Sequence, residues 1–286
     1  MNQNVAPNIA VIGLPGVNCE PETVRALEAS GLHGHVVRWT APNLDGVDGV
    51  VLPGGFSYQD RVRGGAIAAS EPIIDAVVEA AAAGKPVLGI CNGAQVLIEA
   101  GLVPGRQPGR VEMALAPNRM PDRSGYFCTW THLRIENAET AATCALEPGE
   151  VVPMPIAHAE GRFVTRDPQV RAALASGQLT ARYCHPDGSD ARGFPDNPNG
   201  ALLDAAAISN PAGNVVAWMP HPERAALLYQ VMPELPGPWG ERRRAARDLE
   251  ALTLPGPGTA VFRSLSAWLA GRQRTAMARE GARAHG

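Results

Sequence analysis

The sequence predicts an α/β fold with a central, mostly parallel sheet, helices on both faces and a β-rich extension. Short apolar runs alternate with helical patterns over residues 9–101, as they do in βαβ units. Glycine follows three of these helical patterns and proline stands near the start of two, which is typical of C-caps and of first helical turns. After residue 126 the apolar runs follow one another with little helical pattern between them.

Short apolar runs bounded by turn residues indicate strands, and apolar residues at every third or fourth position indicate helices. In the first half we expect strands over 9–13, 36–39, 50–52 and 86–90, and helices over 21–30, 72–83 and 94–100. In the second half we expect strands over 128–136, 151–156, 162–165, 179–183, 206–209 and 215–219, and a packing helix over 259–270.

These elements predict one domain over residues 1–270. Two stretches interrupt it as insertions, at about 184–198 and 231–258, and the second holds a charged helix around 241–252. Segments rich in proline, glycine and charge form solvent-exposed loops. The last segment, 271–286, is polar and rich in arginine, and we expect it to be disordered.

Composition excludes several classes of protein. With 45% hydrophobic and 19% charged residues and a net charge of −3, the chain resembles soluble globular proteins and offers no basic field for nucleic acid. We find no apolar run long enough to cross a bilayer and no signal-peptide pattern. We therefore expect a cytoplasmic protein with neither nucleic acid nor membrane as a partner.

The cysteines and glycines also limit cofactor chemistry. The five cysteines are scattered without a C-x-x-C pair, which fits a reducing compartment and argues against a structural metal. No P-loop and no strand-linked G-x-G-x-x-G occurs, so we expect any ATP chemistry to take place on another chain.

Cys91 stands where a buried strand is predicted to turn sharply into a helix. Gly89 and Gly93 flank it two residues away on either side, as in the G-x-nucleophile-x-G turn that exposes a reactive side chain at the top of a sheet. The positive end of the following helix would favour the thiolate. The alternative is an inert core cysteine, because buried free cysteines are common.

A second segment supplies a base and a carboxylate two residues apart. His221 and Glu223 share a face in extended backbone, and Pro220 and Pro222 exclude a helix through them. Glu223 would orient the imidazole, and His221 would accept the proton of Cys91 and give it to a leaving amine. Because 130 residues separate the two segments, their meeting is a prediction about the fold.

A tight turn, Pro53-Gly54-Gly55, follows the strand predicted over 50–52. Acyl transfer needs two N–H donors on the oxyanion, typically from the residue after the nucleophile and from a neighbouring strand-end loop. Asn92 and Gly55 occupy these positions. An ordinary turn without a catalytic role is the alternative.

With these residues assembled, the chain resembles the class I (triad) glutamine amidotransferases, and among them the glutaminase subunits of formylglycinamidine ribonucleotide synthase. Six matching strings occur in family order across most of the chain. They are LPGVNC at 14–19, LPGGFSY at 52–58, GICNG at 89–93 with Gln95, AH at 157–158 with EG at 160–161, NPNG at 197–200 and MPHPERA at 219–225.

The resemblance implies a flavodoxin-like sheet and the hydrolysis of glutamine to glutamate and ammonia through a thioester on Cys91. It also implies that ammonia passes to a synthetase subunit, which uses ATP and Mg²⁺ to convert formylglycinamide ribonucleotide to its amidine, and that a small third subunit completes the assembly. The chain itself would carry no cofactor and no metal. The implied site comprises Cys91, His221 and Glu223 as catalytic residues, Gly55 and Asn92 as oxyanion donors, and Gly54 and Gln95 as substrate contacts.

Some positions depart from the family pattern or stay open. Gln59 and Ala159 stand where the family usually has glycine, and Gln59 leaves the local turn undecided. Asn18 and Cys19 are expected to cap the helix over 21–30, and a role at the synthetase interface is the alternative. His158, with Glu160 two residues on, fits a structural pair as well as it fits a substrate contact.

Two other functions use the same residues. A stand-alone cysteine hydrolase would turn over without a partner, whereas a glutaminase subunit should be nearly idle alone. A catalytically silent regulatory subunit would leave Cys91 unlabelled by a glutamine-mimicking electrophile.

Overall fold

A nine-stranded sheet forms the centre of the molecule. The structure is a computed structural model that describes residues 6–41 and 43–284. The strands within these ranges are β1 (Asn8–Gly13), β2 (His33–Arg38), β3 (Gly49–Leu52), β4 (Val87–Ile90), β5 (Ala114–Ala116), β6 (Phe127–Ile135), β7 (Val151–His158), β8 (Arg162–Val164), β9 (Leu179–Cys184), β10 (Ala205–Ser209) and β11 (Val215–Trp218). The α-helices are α1 (Glu20–Glu28), α2 (Pro72–Ala82), α3 (Asn92–Glu99), α4 (Pro168–Ala173), α5 (Pro238–Ala245), α6 (Leu249–Leu252) and α7 (Thr259–Ala284).

The sheet has a parallel half and an antiparallel half. Its strand order is β2-β1-β3-β4-β11-β10-β9-β6-β7. Pairing is parallel from β2 to β11 and antiparallel from β11 to β7, and β5 and β8 form a separate two-stranded sheet. The predicted α/β fold with a β-rich extension is confirmed.

The central strands are apolar throughout because both of their faces are covered. Every residue of β3, β4 and β11 is buried, as is typical of strands in the middle of a parallel sheet. Within the part of the chain that the structure describes, no helix has the length and apolar character needed to cross a membrane.

The pairing of β4 with β11 brings distant segments to one edge of the sheet. Ile90, the last residue of β4, pairs with Trp218, the last residue of β11. The N–H of Cys91 then donates to the carbonyl oxygen of Trp218 at 2.8 Å. Because the two strands are parallel, the residues that follow each of them emerge side by side.

The end of β3 lies against the start of α3. Leu52 pairs with Gly89 across the β3–β4 ladder, and a Cβ atom on Gly93 would lie 2.0 Å from the carbonyl oxygen of Leu52. Only glycine fits at this approach of helix to strand. The turn after β3 is therefore held beside the start of α3.

Some details differ from the sequence predictions. Strand β2 begins at His33, three residues before the predicted start at residue 36, because this segment pairs in register with β1. The single charged helix expected around 241–252 is two helices, α5 and α6. The carboxylate of Asp248 accepts the N–H of Ala251 at 2.8 Å, so Asp248 caps a new helix where one continuous helix was expected.

The last helix is longer than predicted. We expected disorder from residue 271, whereas α7 continues to Ala284. This segment is rich in alanine and arginine, which have high helix propensity, and it extends a helix that is already nucleated. Residues 285 and 286 lie outside the described part of the chain.

We predict that Gly93→Ala destabilises the fold, since the added methyl group meets backbone that cannot move aside. The expected loss is about 3 kcal/mol in the free energy of unfolding, measured by urea denaturation. Gly13→Ala is the matched control, because its nearest contact is a movable side-chain atom, Cγ1 of Val36, at 3.1 Å. Equal losses in the two variants would contradict this explanation of the α3–β3 contact.

Candidate functional site

Cys91 occupies a strained backbone position between β4 and α3. Its φ of 50° and ψ of −104° lie where residues with a side chain are uncommon, and such strain costs about 1–3 kcal/mol. The flanking glycines are required, because a Cβ on Gly89 would lie 2.5 Å from the carbonyl oxygen of Gly93. The predicted sharp turn is therefore present, and it sets the thiol at the carboxyl edge of the sheet.

His221 and Glu223 form a buried pair at the same edge. The Nδ1 atom of His221 and the Oε1 atom of Glu223 are 2.5 Å apart, and the two residues are only 2% and 1% exposed. The backbone N–H of His221 donates to the carbonyl oxygen of Pro155 in β7 at 2.8 Å. Among the described residues the Nε2 atom of His221 has no hydrogen-bond partner, so this nitrogen is available for proton transfer.

Two opposing effects set the charge of His221. Burial alone would lower its pKa, but the Glu223 carboxylate and then the Cys91 sulfur raise the pKa well above its usual range. His221 is therefore an imidazolium at neutral pH, stabilised by the carboxylate at Nδ1.

The two expected oxyanion donors belong to the turn after β3 and to the start of α3, two segments that a hydrogen bond ties together. Asn92 is the first residue of α3, so its N–H has no acceptor within the helix. Ser57, just past the turn, donates its N–H to Oδ1 of Asn92 at 3.1 Å and ties the turn to the helix. Gly55 has a φ of +147°, and a Cβ on it would lie 2.4 Å from Cα of Val17.

Gly54 packs directly against the imidazole ring of His221. A Cβ on this residue would lie 2.8 Å from Cε1 of His221 and 3.0 Å from Sγ of Cys19. Glycine is therefore needed at this position to make room for the imidazole ring. Its expected substrate contact stays a prediction.

Gln95 is fixed by neighbouring protein groups. Its Oε1 accepts from Nδ2 of Asn92 at 2.8 Å, and its Nε2 donates to the carbonyl oxygen of Glu160 at 2.9 Å. A Cβ on Gly64 would lie 2.4 Å from Nε2 of Gln95, so this loop covers the amide closely. A substrate contact by Gln95 would use a side chain that is already oriented.

The backbone at position 59 is left-handed. Gln59 has a φ of 60°, a left-handed conformation in which glycine carries no steric penalty. Tyr58, Asp60 and Val62 are also left-handed. The glycine that is usual at position 59 thus suits this loop better than the glutamine present here.

Sequence reasoning missed Asp60. Its Oδ1 accepts from Nδ2 of Asn92 at 3.3 Å. Burial and then the charge of Glu160 raise the pKa of Asp60 to about 6. No periodic pattern or motif in the sequence marks this residue.

Asn118 is a second residue without a sequence signal. Its Oδ1 lies 3.1 Å from Nδ1 of His158, and its Nδ2 donates to the carbonyl oxygen of His158 at 2.7 Å. Burial and then the charge of His221 lower the pKa of His158 to about 3, so His158 is neutral. The partner of Nδ1 is thus Asn118, whereas the carboxylate of Glu160, the partner considered from the sequence, accepts the N–H of Gly64 at 2.9 Å.

Three side-chain atoms of kinds that can bind a metal ion lie close together within the described residues. Sγ of Cys19, a ring nitrogen of His221 and a carboxylate oxygen of Glu223 lie within 4.8 Å of one another. His221 and Glu223 already satisfy one another through a hydrogen bond. The absence of a metal from the working site stays a prediction.

Comparison with known proteins places this site in a family. A family model described as the CobB/CobQ-like glutamine amidotransferase domain matches residues 6–269. The chain belongs to this family. The amidotransferase is 42% identical over 278 residues to a protein of Methanothrix thermoacetophila, covering 93% of this chain and 99% of that one. It is 43% identical over 220 residues to a protein of Pyrococcus furiosus, covering 77% and 90%.

Both relatives bear the name phosphoribosylformylglycinamidine synthase subunit PurQ. Among solved structures, the amidotransferase matches a chain described as PurLQS from Thermotoga maritima, with a TM-score of 0.69 and 32% identity, covering 93% of this chain and 100% of that one. A putative GMP synthase subunit of Thermoplasma acidophilum, at 16% identity and a TM-score of 0.54, shares the fold.

We predict that Asp60→Asn stabilises the amidotransferase above pH 6. The folded protein disfavours the ionised carboxylate, so stability falls as pH rises from 3.8 towards 6. Asparagine cannot ionise and keeps an oxygen that can accept the Asn92 hydrogen bond. After allowance for the partial exposure of Asp60, the expected gain at pH 7 is about 1 kcal/mol, measured by urea denaturation.

The gain should vanish below about pH 4, where the carboxyl group is neutral in both states. Asp122→Asn, at an exposed position, is the control for general effects of charge removal. A gain that is the same at pH 3 and at pH 7 would contradict the assigned cause.

Proposed function

We propose that this chain is the glutaminase subunit of phosphoribosylformylglycinamidine synthase, hydrolysing glutamine and delivering ammonia to a synthetase subunit. One observation carries the proposal. The buried His221–Glu223 pair and the strained Cys91 emerge from adjacent parallel strands. The identity to relatives that carry this subunit's name, over most of both chains, supports the choice of reaction.

The first half of the reaction forms the thioester. Sγ of Cys91 attacks Cδ of the glutamine side chain, and the thiol proton resides on Nε2 of His221. The N–H groups of Gly55 and Asn92 hold the oxyanion. His221 then gives its proton to the leaving nitrogen, the C–N bond breaks and ammonia departs.

The second half restores the enzyme. His221, now neutral, takes a proton from water, and the hydroxyl attacks the thioester carbonyl. The oxyanion returns to the same two donors, and the C–S bond breaks to give glutamate and the thiol of Cys91. Glu223 keeps the proton on Nδ1 throughout, so that Nε2 is the nitrogen that accepts and donates.

The partner chain supplies the remaining chemistry. A synthetase subunit uses ATP and Mg²⁺ to convert formylglycinamide ribonucleotide to formylglycinamidine ribonucleotide with the ammonia released here, and a small third subunit completes the complex. The Thermotoga maritima structure described as PurLQS, one chain of which is covered completely, supports such an assembly. The chain would work in the cytoplasm, where purine precursors are made.

We predict that Cys91→Ala abolishes glutamate release, since the variant has no sulfur to form the thioester. The wild-type chain should release glutamate strongly only with the synthetase subunit, ATP and formylglycinamide ribonucleotide present. In the same complex, Cys91→Ala should keep synthesis from added ammonium salt, because the synthetase site is untouched.

Cys128→Ala is the matched control, since Cys128 is exposed and lies outside the proposed site. Full glutamate release without any partner would favour the stand-alone hydrolase. Loss of ammonia-dependent synthesis in Cys91→Ala would contradict the division of labour between the subunits.

A further inference from the structure

Cys19 lies beside the catalytic imidazole, although the sequence marked it only as a helix cap. It stands at the N-cap position of α1, but its side chain makes no capping hydrogen bond. The residue is fully buried. Its sulfur and the ring of His221 pack against the same glycine, Gly54.

The sulfur of Cys19 is held by hydrogen bonds to Asn18 and Arg224. The thiol donates to Oδ1 of Asn18 at 3.4 Å, and Nη2 of Arg224 donates to the sulfur at 3.1 Å. A thiol has one hydrogen and two lone pairs, so one lone pair is left. The sulfur lies within 4.8 Å of a His221 ring nitrogen, and the imidazolium edge is the neighbour that can use this lone pair.

Arg224 is itself anchored, which fixes the direction of its contact with the sulfur. Its Nε donates to Oε1 of Glu22 at 2.8 Å. Glu22 and Cys19 belong to the same end of α1. The start of α1 therefore holds both the sulfur and the guanidinium that orients it.

Cys19 is not a second nucleophile. Burial raises the pKa of its thiol, and this effect outweighs the lowering effect of the nearby His221 ring. The residue also has an ordinary φ of −100°, whereas Cys91 is presented on a strained turn. A neutral thiol stabilises a neighbouring cation as a dipole without competing for the substrate carbonyl.

We propose that Cys19 is a positioning residue for the reaction: its sulfur, oriented by Arg224, holds the His221 imidazolium in place opposite Cys91. The inference rests on the proposed roles of Cys91 and His221. Without the sulfur, the imidazolium loses a favourable contact and gives up its proton at lower pH.

The test measures alkylation of Cys91 by iodoacetate as a function of pH, on the full chain without substrate or partner. The Cys91 thiolate displaces iodide and forms a new S–C bond, and mass spectrometry of peptides separates Cys91 from the other cysteines. Because the reagent is an anion, the imidazolium attracts it, and the rate of alkylation falls at high pH when His221 loses its proton. This fall at high pH, the basic limb of the pH–rate profile, therefore reports the charge of His221.

In Cys19→Ala we expect the basic limb to move to lower pH by about half a unit. Cys19→Ser, which retains both lone pairs, should recover most of the wild-type position. Cys19→Val fills the space of the sulfur without a lone pair and should shift the limb like alanine, so the test survives if one variant fails to fold. Cys144→Ala is the matched control. It also removes a hydrogen-bonded thiol, but this thiol donates to the carbonyl oxygen of Ser264 and not to a group of the proposed site.

The possible outcomes distinguish the proposed roles of Cys91 and His221 from the proposed role of Cys19. A basic limb in the wild type that persists in His221→Asn would overturn the proposed roles of Cys91 and His221. A basic limb that depends on His221 but stays in place in Cys19→Ala and Cys19→Val would overturn only the role of Cys19. A rate that falls equally at every pH in these variants means a packing role alone and overturns the inference as well.

Discussion

The parallel pairing of β4 with β11 is the constraint on which the site depends. Its register aligns Ile90 with Trp218, and the hydrogen bond from Cys91 to Trp218 extends the ladder by one residue. Cys91, the proposed nucleophile, is thus located by sheet hydrogen bonds. His221 is anchored in turn by its backbone contact with Pro155 of β7, so Cys91 and His221 are both fixed by strands of one sheet.

Close packing and burial determine how near the side chains of the site lie to one another and how they are charged. Glycines at 54, 89 and 93 remove the bulk that would separate helix, turn and imidazole. Burial of Glu223 is tolerated because its carboxylate pairs with His221, and breaking a buried pair typically costs 3–5 kcal/mol. The same burial strengthens the attraction that keeps His221 charged, since the dielectric constant of the interior is low. The site's electrostatics therefore follow from its packing.

The sequence predicted the elements that have a periodic apolar pattern and the turns that are marked by glycine or proline. The apolar strands, the turn at Cys91 and the proline-flanked His221 all carry local signals, and the structure brings them to one edge. Asp60 and Asn118 have no such signal, because their contacts are made across the fold and not along the chain. Cys19 was placed correctly at a helix start, but its sulfur accepts a hydrogen bond from Arg224, which is distant in the sequence. The break between α5 and α6 depends on one capping carboxylate, that of Asp248.

The most direct test of the central claim is to find the covalent intermediate. The complex with its synthetase, ATP and formylglycinamide ribonucleotide would be given glutamine, quenched in acid within the first turnovers and analysed by peptide mass spectrometry. The account predicts a γ-glutamyl group on Cys91, accumulating further in Glu223→Gln, where water attack on the thioester is slowed. A γ-glutamyl group on another cysteine, or glutamate release with no adduct on Cys91 in either protein, would contradict it.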